Sequence, residues 1–549
     1  MNTFNIGTRR WFLDRSFKVG LGVALSTLVD IPFVVKRALA EGTIGNGKKL
    51  LFIFLRGGND ALNSVIPIQD TSYATSRTTL AISKDGSTNY TLASGTMDFP
   101  QSSSDPNTQP DFQTFYYSNA IRAGNGFAAV HPSLKFLAPV FNAGDLSLVH
   151  RVGYPKQSRS HFDSQNYWEN GNPNNNLIKD GIFYRTMIES GLAGTNPLTG
   201  VSIQSALPLL LRGSAAAMTN LSDPLRYNLL GIPNNSAGNS KADSYLNASA
   251  QYPFPDKKNR ELLQLQYKNM SDTLAIFANP AIVDFNESAN TFVDDVNTDG
   301  DTAPYYLFPT SNSKNGGYPF HAADADPNKD RTKKYVVDTA TASYSFFTQL
   351  KAAALILNKT DAIIAGTELG GFDTHSAQGG VTGSHPNLQR RIAWALYALR
   401  KYFLKYGKNG SAGDTSAMCS WDDVVVVTLS EFGRTTGENG TQGTDHAEAD
   451  LMFAAGGNVN GGIKGCHTGD SIPWVTGPSG SMFGVQSRYL KRIYDYRSLL
   501  GELIRDHLGA TQNQLNNIIP GYADSGEHLQ TGGASSIDGT SIVGEAGIV

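Results

Sequence analysis

The sequence predicts an α/β protein built on a mostly parallel sheet. Residues 50–55, 362–365, 424–429 and 451–455 are short runs that are apolar at nearly every position. Such runs mark strands buried on both faces, as the central strands of parallel sheets are. Helical patterns alternate with them, and Leu388, Ile392, Leu396, Leu399 and Phe403 repeat at the spacing of one buried helix face. The strands also end in glycines and polar groups, and in open α/β sheets ligands bind outside the carboxyl ends of the strands.

The first strand runs straight into Arg56-Gly57-Gly58-Asn59-Asp60. Residues 71–130 are rich in Ser, Thr, Asn and Asp and read as surface loops. A helix over 133–141 leads through Gly144 to a short strand at 146–149, followed by the polar segment from Arg151 to Asp163. Residues 225–260 and 285–335 read as loop-rich insertions, with a helix over 259–277 between them. Then come a helix over 340–358, the strand at 362–365 and the turn Gly370-Gly371-Phe372-Asp373-Thr374-His375. After a helix over 386–406, the strand at 424–429 opens into Ser430-Glu431-Phe432-Gly433-Arg434 and a Gly/Thr/Asn loop carrying Asp445-His446. A helix over 496–508 follows, and the Gly/Ser-rich residues 526–549 read as a flexible tail. The expected organisation is a leader over 1–40, one large domain over 41–525 and that tail.

The leader rests on Thr8-Arg9-Arg10-Trp11-Phe12-Leu13, which resembles the twin-arginine export motif. An apolar stretch at 19–35 and Ala38-Leu39-Ala40, a small-residue cleavage pattern, follow it. Asp30 and Pro32 interrupt the stretch and argue against a stable membrane span. The expected location is periplasmic or extracellular, with the twin-arginine translocase as partner during export. A net charge of −3 provides no electrostatic footprint for nucleic acid. Cys419 and Cys466 can pair, stay free, or (with His467) ligate a metal; the sequence leaves these open.

An Asp beside a His on a Gly-rich loop suits a divalent metal, because carboxylate oxygen and neutral imidazole are both good ligands. Asp60, Asp373 with His375, and Asp445 with His446 each follow a buried strand. Any one of them is also ordinary turn chemistry. Three together favour a shared site.

Taken as a set, LFIFLRGGNDALNSVIP, RSHFDSQNYWENG, GGFDTH, LSEFGRTTGENGTQGTDHA and YDYRSLLGEL resemble the exported domain-of-unknown-function family 1501. That family is classed with the alkaline phosphatase and sulfatase-like superfamily, and the resemblance runs over residues 50–508. It implies a doubly wound sheet with helices on both faces and up to two divalent ions at its carboxyl edge. Zinc, magnesium, calcium and manganese are not distinguished. Asp60, Asp373, His375, Asp445 and His446 match the expected ligands, with His161, His385 or His467 as the remaining one. Ser160, with Ser158 as fallback, matches the nucleophile by position, and Arg159, Arg56 or Arg434 would clamp an anionic ester. Ser160 reads equally well as a helix cap with Asp163 behind it. The implied activity is hydrolysis of phosphate or sulfate esters. The alternatives are a non-catalytic exported protein binding a glycan or partner, and phosphoryl transfer to a surface polymer.

Overall fold

The computed structural model describes residues 44–84, 96–97, 119–193, 198–222, 244, 293–294, 305–308, 341–524 and 526–549. The leader at 1–40 lies outside them, as do nearly all of the insertions at 225–260 and 285–335 and the helix at 259–277. The main sheet has nine strands. In chain order they are β1 (Lys49–Leu55), β2 (Leu146–Gly153), β3 (Gly200–Ser202), β4 (Thr219–Asn220), β5 (Ile364–Leu369), β6 (Val424–Leu429), β7 (Asp450–Ala455), β8 (Gly462–Lys464) and β9 (Tyr494–Asp495). The order across the sheet is β8-β2-β7-β6-β1-β5-β3-β4, with β9 paired to β2.

β1 lies at the centre, parallel to both β5 and β6. Its alternate residues feed two cores, because successive side chains of a strand point to opposite faces. Leu51, Ile53 and Leu55 join one core with the helices α3 (Thr341–Lys359) and α4 (Ser384–Tyr406). Leu50, Phe52 and Phe54 join the other, with α1 (His161–Asn170), α2 (Ile182–Glu189) and α5 (Tyr496–Glu502). Helices therefore cover both faces of a mostly parallel sheet, an α/β architecture. The stripe Leu388, Ile392, Leu396, Leu399 and Phe403 is buried as its spacing predicts.

β7 departs from the expected parallel run. It is antiparallel to both β6 and β2. A parallel neighbour needs a crossover, usually through a helix, and no helix stands between β6 and β7. The loop over residues 430–449 therefore leaves and re-enters the sheet at one edge, beyond the carboxyl ends of β1, β5 and β6. The strand read at 146–149 extends to Gly153. The expected loop region 71–130 holds a short helix, Thr71–Ser76, and a small antiparallel sheet of Val65–Ile66, Ala129–Val130 and Ile121–Arg122.

The tail over 526–549 is not loose in this structure. Gly533–Ala534 pairs with Ser541–Ile542, and Ile542 and Ile548 are buried. Glu502, itself buried at the end of α5, accepts hydrogen bonds from the backbone N–H groups of Ala546 (2.9 Å), Gly547 (3.1 Å), Ile548 and Val549 (3.2 Å). Gly/Ser composition signalled flexibility, but a few isoleucines and a buried carboxylate that needs donors decide the packing. Burial raises the Glu502 carboxyl above its ordinary range, with the backbone N–H groups opposing it. Deleting residues 546–549 should strand that carboxylate and expose the surface under Ile548. The expected loss is about 3 kcal/mol or more, read by chemical denaturation. A truncated chain as stable as the full one would show the tail to be passive.

Candidate metal centre

Three strand ends meet at the carboxyl edge. β1 ends in Gly57 and Gly58, both at positive φ (110° and 81°) and pressed against the neighbouring loops. A Cβ at Gly57 would lie 2.4 Å from the Asp373 backbone nitrogen, and one at Gly58 would lie 2.7 Å from the Phe432 carbonyl oxygen. Only glycine permits this approach. It leaves the Gly57 and Gly58 carbonyls facing Arg434. That guanidinium is buried and donates to the carbonyls of Gly57, Gly58 (2.9 Å), Phe372 (2.9 Å) and Thr444 (3.1 Å), and to Asp373 Oδ1 (2.7 Å).

Asp373 is the hub. Its Oδ1 lies 3.0 Å from His446 Nε2 and 3.1 Å from His375 Nε2, and its Oδ2 lies 3.5 Å from His161 Nε2. The two Nε2 atoms of His375 and His446 are 2.9 Å apart. Among the described residues, His161, Asp373 and His446 each offer a ligand atom within 4.8 Å of the others. Phe432 is buried beneath the His161 and His446 rings, at centroid distances of 4.9 and 4.4 Å. The hub opens to solvent, since the Asp373 side chain is 45% and that of His375 44% exposed.

The outer ring nitrogens decide the chemistry. His161 Nδ1 lies 2.5 Å from Glu431 Oε2, His446 Nδ1 lies 2.8 Å from the Arg159 carbonyl, and His375 Nδ1 lies 3.2 Å from Asp445 Oδ1. A carbonyl or an ionised carboxylate can only accept, so each Nδ1 has an acceptor behind it to which it can donate, while Asp373 offers an acceptor to the Nε2 atoms on the inner side. In neutral rings that carry the proton on Nδ1, all three Nε2 atoms would be lone pairs, directed at a carboxylate and, for His375 and His446, at each other. Uncompensated, that arrangement is repulsive. A cation bound there would resolve it. Histidine ligands of metals characteristically donate their other N–H to a carboxylate or a carbonyl in this way. Burial lowers the His446 pKa, with the Arg159 carbonyl and Asp373 opposing, which favours the neutral ligand form. For Asp373 burial acts upward, but the Arg434 hydrogen bond and charge and the neighbouring His446 and His375 prevail. They hold its carboxyl at about 2, ionised at any physiological pH.

The sequence-predicted residues divide into two groups. Asp373, His375 and His446 meet at the hub, and His161 supplies the further histidine. Asp60 does not reach it. It is fully buried and gripped by Arg77, with Nη1 2.6 Å from Oδ2 and Nη2 3.0 Å from Oδ1, while Gln378 Nε2 donates to Oδ2 (2.6 Å). Asp445 stands one shell out. Its Oδ1 accepts from Asn439 Nδ2 (3.0 Å) and faces His375 Nδ1, and its Oδ2 accepts from Arg488 (2.6 Å). His385 is buried beside Asn59 and Gln389, and His467 sits against Phe127. Cys419 and Cys466 are buried and unpaired.

Ser160 is the N-cap of α1, its Oγ accepting from the Asp163 N–H at 3.5 Å, and Ser158 Oγ accepts from the Ser160 N–H. Asp163 does not close a capping box; it accepts from Asn176 instead. Arg159 sends its carbonyl to His446 and its guanidinium over the Tyr489 ring (4.6 Å) and toward Glu448 (3.4 Å). Of the arginines expected to clamp an anion, Arg434 is buried in the loop scaffold and paired with Asp373. Arg56 is engaged by Glu169 and Glu368. Arg159 and Arg488 remain at the rim, 37% and 53% exposed.

Glu431, Arg77, Gln378 and Arg488 escaped the sequence reading of the site. Glu431 carried a signal, being an acid two residues past the end of β6. Arg77 carried none, because it lies in a polar stretch that looks like surface loop. No curated protein and no solved structure matches the chain. A family model described as a protein of unknown function, DUF1501, matches residues 234–471, the stretch that carries Asp373, His375, Arg434, Asp445 and His446, and this match supports the DUF1501 family for the chain.

Proposed function

We propose that this chain is an exported metal-dependent hydrolase of anionic esters, of the phosphate or sulfate class. The observation that supports it best is the set of three imidazole Nε2 atoms turned toward one carboxylate, each ring fixed from behind by an acceptor. Three imidazoles and one carboxylate fit a borderline transition ion such as zinc better than magnesium or calcium, which prefer oxygen. Bound there, such an ion supplies Lewis acidity to an ester oxygen and acidifies an attacking hydroxyl or water. The chain's own residues supply the rest. Arg434 holds Asp373 in place, and Glu431, Asp445 and the Arg159 carbonyl set the histidine tautomers. Arg159 and Arg488 offer positive charge at the open side, where an anionic group would enter. The twin-arginine motif and the cleavage pattern after it support export. No helix among the described residues is long and apolar enough to cross a membrane.

The test joins metal analysis to a panel of aryl phosphate, phosphodiester and aryl sulfate substrates. The purified chain should retain a transition metal after dialysis and turn over at least one class. His446→Ala and Asp373→Asn should lose metal and turnover together, with kcat/KM falling by about a hundredfold or more. Metal retained without turnover would favour the second reading, a non-catalytic protein binding a glycan or partner. The engagement of the Ser160 hydroxyl as a helix cap favours that reading, since it leaves no side-chain nucleophile bonded to the hub among the described residues. Absence of metal would remove both the centre and the hydrolase.

A further inference from the structure

We infer that the centre is mononuclear, and that the Arg77 guanidinium provides the positive charge that a second ion would bring to Asp60. The inference rests on reading the hub as a metal site and deepens it. The two-ion arrangement implied by the sequence resemblance needs Asp60 and Asp445 as ligands, and both are committed elsewhere. Asp60 and Arg77 form a two-pronged pair with both side chains 0% exposed. Arg77 donates further to Asn63 Oδ1 (2.8 Å) and to the carbonyls of Thr435 (2.8 Å) and Thr436 (2.9 Å). Gln378, which grips Asp60, accepts in turn from the Thr374 and Thr444 hydroxyls through its Oε1. A second ion at Asp60 would have to displace a guanidinium tied to five oxygens inside the protein. Breaking a buried pair leaves an uncompensated charge and is strongly unfavourable.

Asp445, with its side chain 38% exposed, is engaged at the surface instead, by Asn439 and His375 on one oxygen and by Arg488 on the other. Glu431, 0% exposed, is closed by the Gly57 N–H (2.8 Å) and Gln165 Nε2 (2.7 Å) on Oε1 and by His161 Nδ1 on Oε2. Charge counting agrees. Asp60 is balanced by Arg77, Asp445 by Arg488 and Asp373 by Arg434, while Glu431 is met by the Gly57 N–H, Gln165 and His161 and by no arginine among the described ion pairs. One carboxylate charge in excess, next to three lone-pair nitrogens, calls for a single cation at the hub. Binding and polarisation of an anionic group opposite that ion then fall to arginine side chains at the rim.

Metal stoichiometry tests this without any substrate. The full-length chain, stripped with chelator and dialysed into metal-free buffer, is titrated with Co²⁺ and followed by its visible absorption. Bound metal is counted in parallel by plasma mass spectrometry. The expected result is saturation at about one ion per chain, abolished by His446→Ala and kept by Asp60→Asn. Should Asp60→Asn fail to fold, the wild-type count still decides, since it must reach about one ion and not two. Saturation at two ions, with one lost in Asp60→Asn or Asp445→Asn, would overturn the mononuclear inference and leave the metal centre standing. Saturation at zero would overturn the metal reading itself and the inference with it.

Discussion

Arg434→Met should cost about 3–5 kcal/mol of stability and abolish metal retention at the hub. The side chain is 0% exposed and donates to four backbone carbonyls and one carboxylate drawn from the loops after β1, β5 and β6. Methionine fills much of the volume but donates nothing. The Gly57, Gly58 and Thr444 carbonyls would lose the guanidinium inside the protein, while the Phe372 carbonyl keeps the Thr374 N–H, and each unmet polar group carries its own desolvation cost. Lysine should not rescue the variant, because one compact ammonium cannot reproduce a planar fork that bridges three loops. Since folded domains hold only about 5–15 kcal/mol in reserve, the loss is a large fraction of the whole. Urea denaturation of wild type, Arg434→Met and Arg434→Lys reads the stability, and mass spectrometry reads the metal. A methionine variant within about 1 kcal/mol of wild type would show that the loops hold one another without the guanidinium.

Mild acid should destabilise the chain through its buried histidines. Among the described residues four histidines are buried: His131 and His150 have pKa values pushed down to about 3, and His385 and His507 to about 4, in each case chiefly by burial. The Nδ1 atoms of His150 and His385 have no hydrogen-bond partner, and the Asp60 charge that favours protonation of both rings does not offset their burial. In the unfolded chain a histidine takes up its proton near pH 6.5. Between about pH 6.5 and pH 3–4 the unfolded state therefore binds more protons than the native one. Stability rises with pH across that window and is lost as pH falls through it. Near pH 5.5 each group contributes a loss of about 1 kcal/mol relative to pH 7, roughly 4 kcal/mol for the four together. Thermal unfolding at pH 7.5, 6.5, 5.5 and 5.0 should show a falling Tm that is flattened in His150→Gln and His131→Gln. An unchanged Tm down to pH 5 would mean that these rings take up protons in the native state.

The sequence by itself determined the central architecture and the edge that carries the site. Runs such as residues 50–55 and 424–429 have no polar face to show to water, so they must be covered on both sides, and the helical stripe from Leu388 to Phe403 supplies one of the covers. Glycine followed by Asp or His after such strands located Asp373, His375 and His446, because turns at a strand end must be short and polar groups there face solvent or ligand. Partner choice was not legible. An Asp reads the same in one dimension whether a metal or a guanidinium faces it. Only the fold brought Arg77 onto Asp60, Arg488 onto Asp445 and Arg434 onto Asp373. The direction of β7 and the docking of the last residues onto Glu502 were likewise tertiary outcomes, since crossover geometry and the donors available to a buried carboxylate depend on segments far apart in the chain. The physical reason is common to all of them: burial and charge pairing are settled by whichever groups share a site in space. Hydrophobic pattern is a local property of the chain, whereas electrostatic partnership is not.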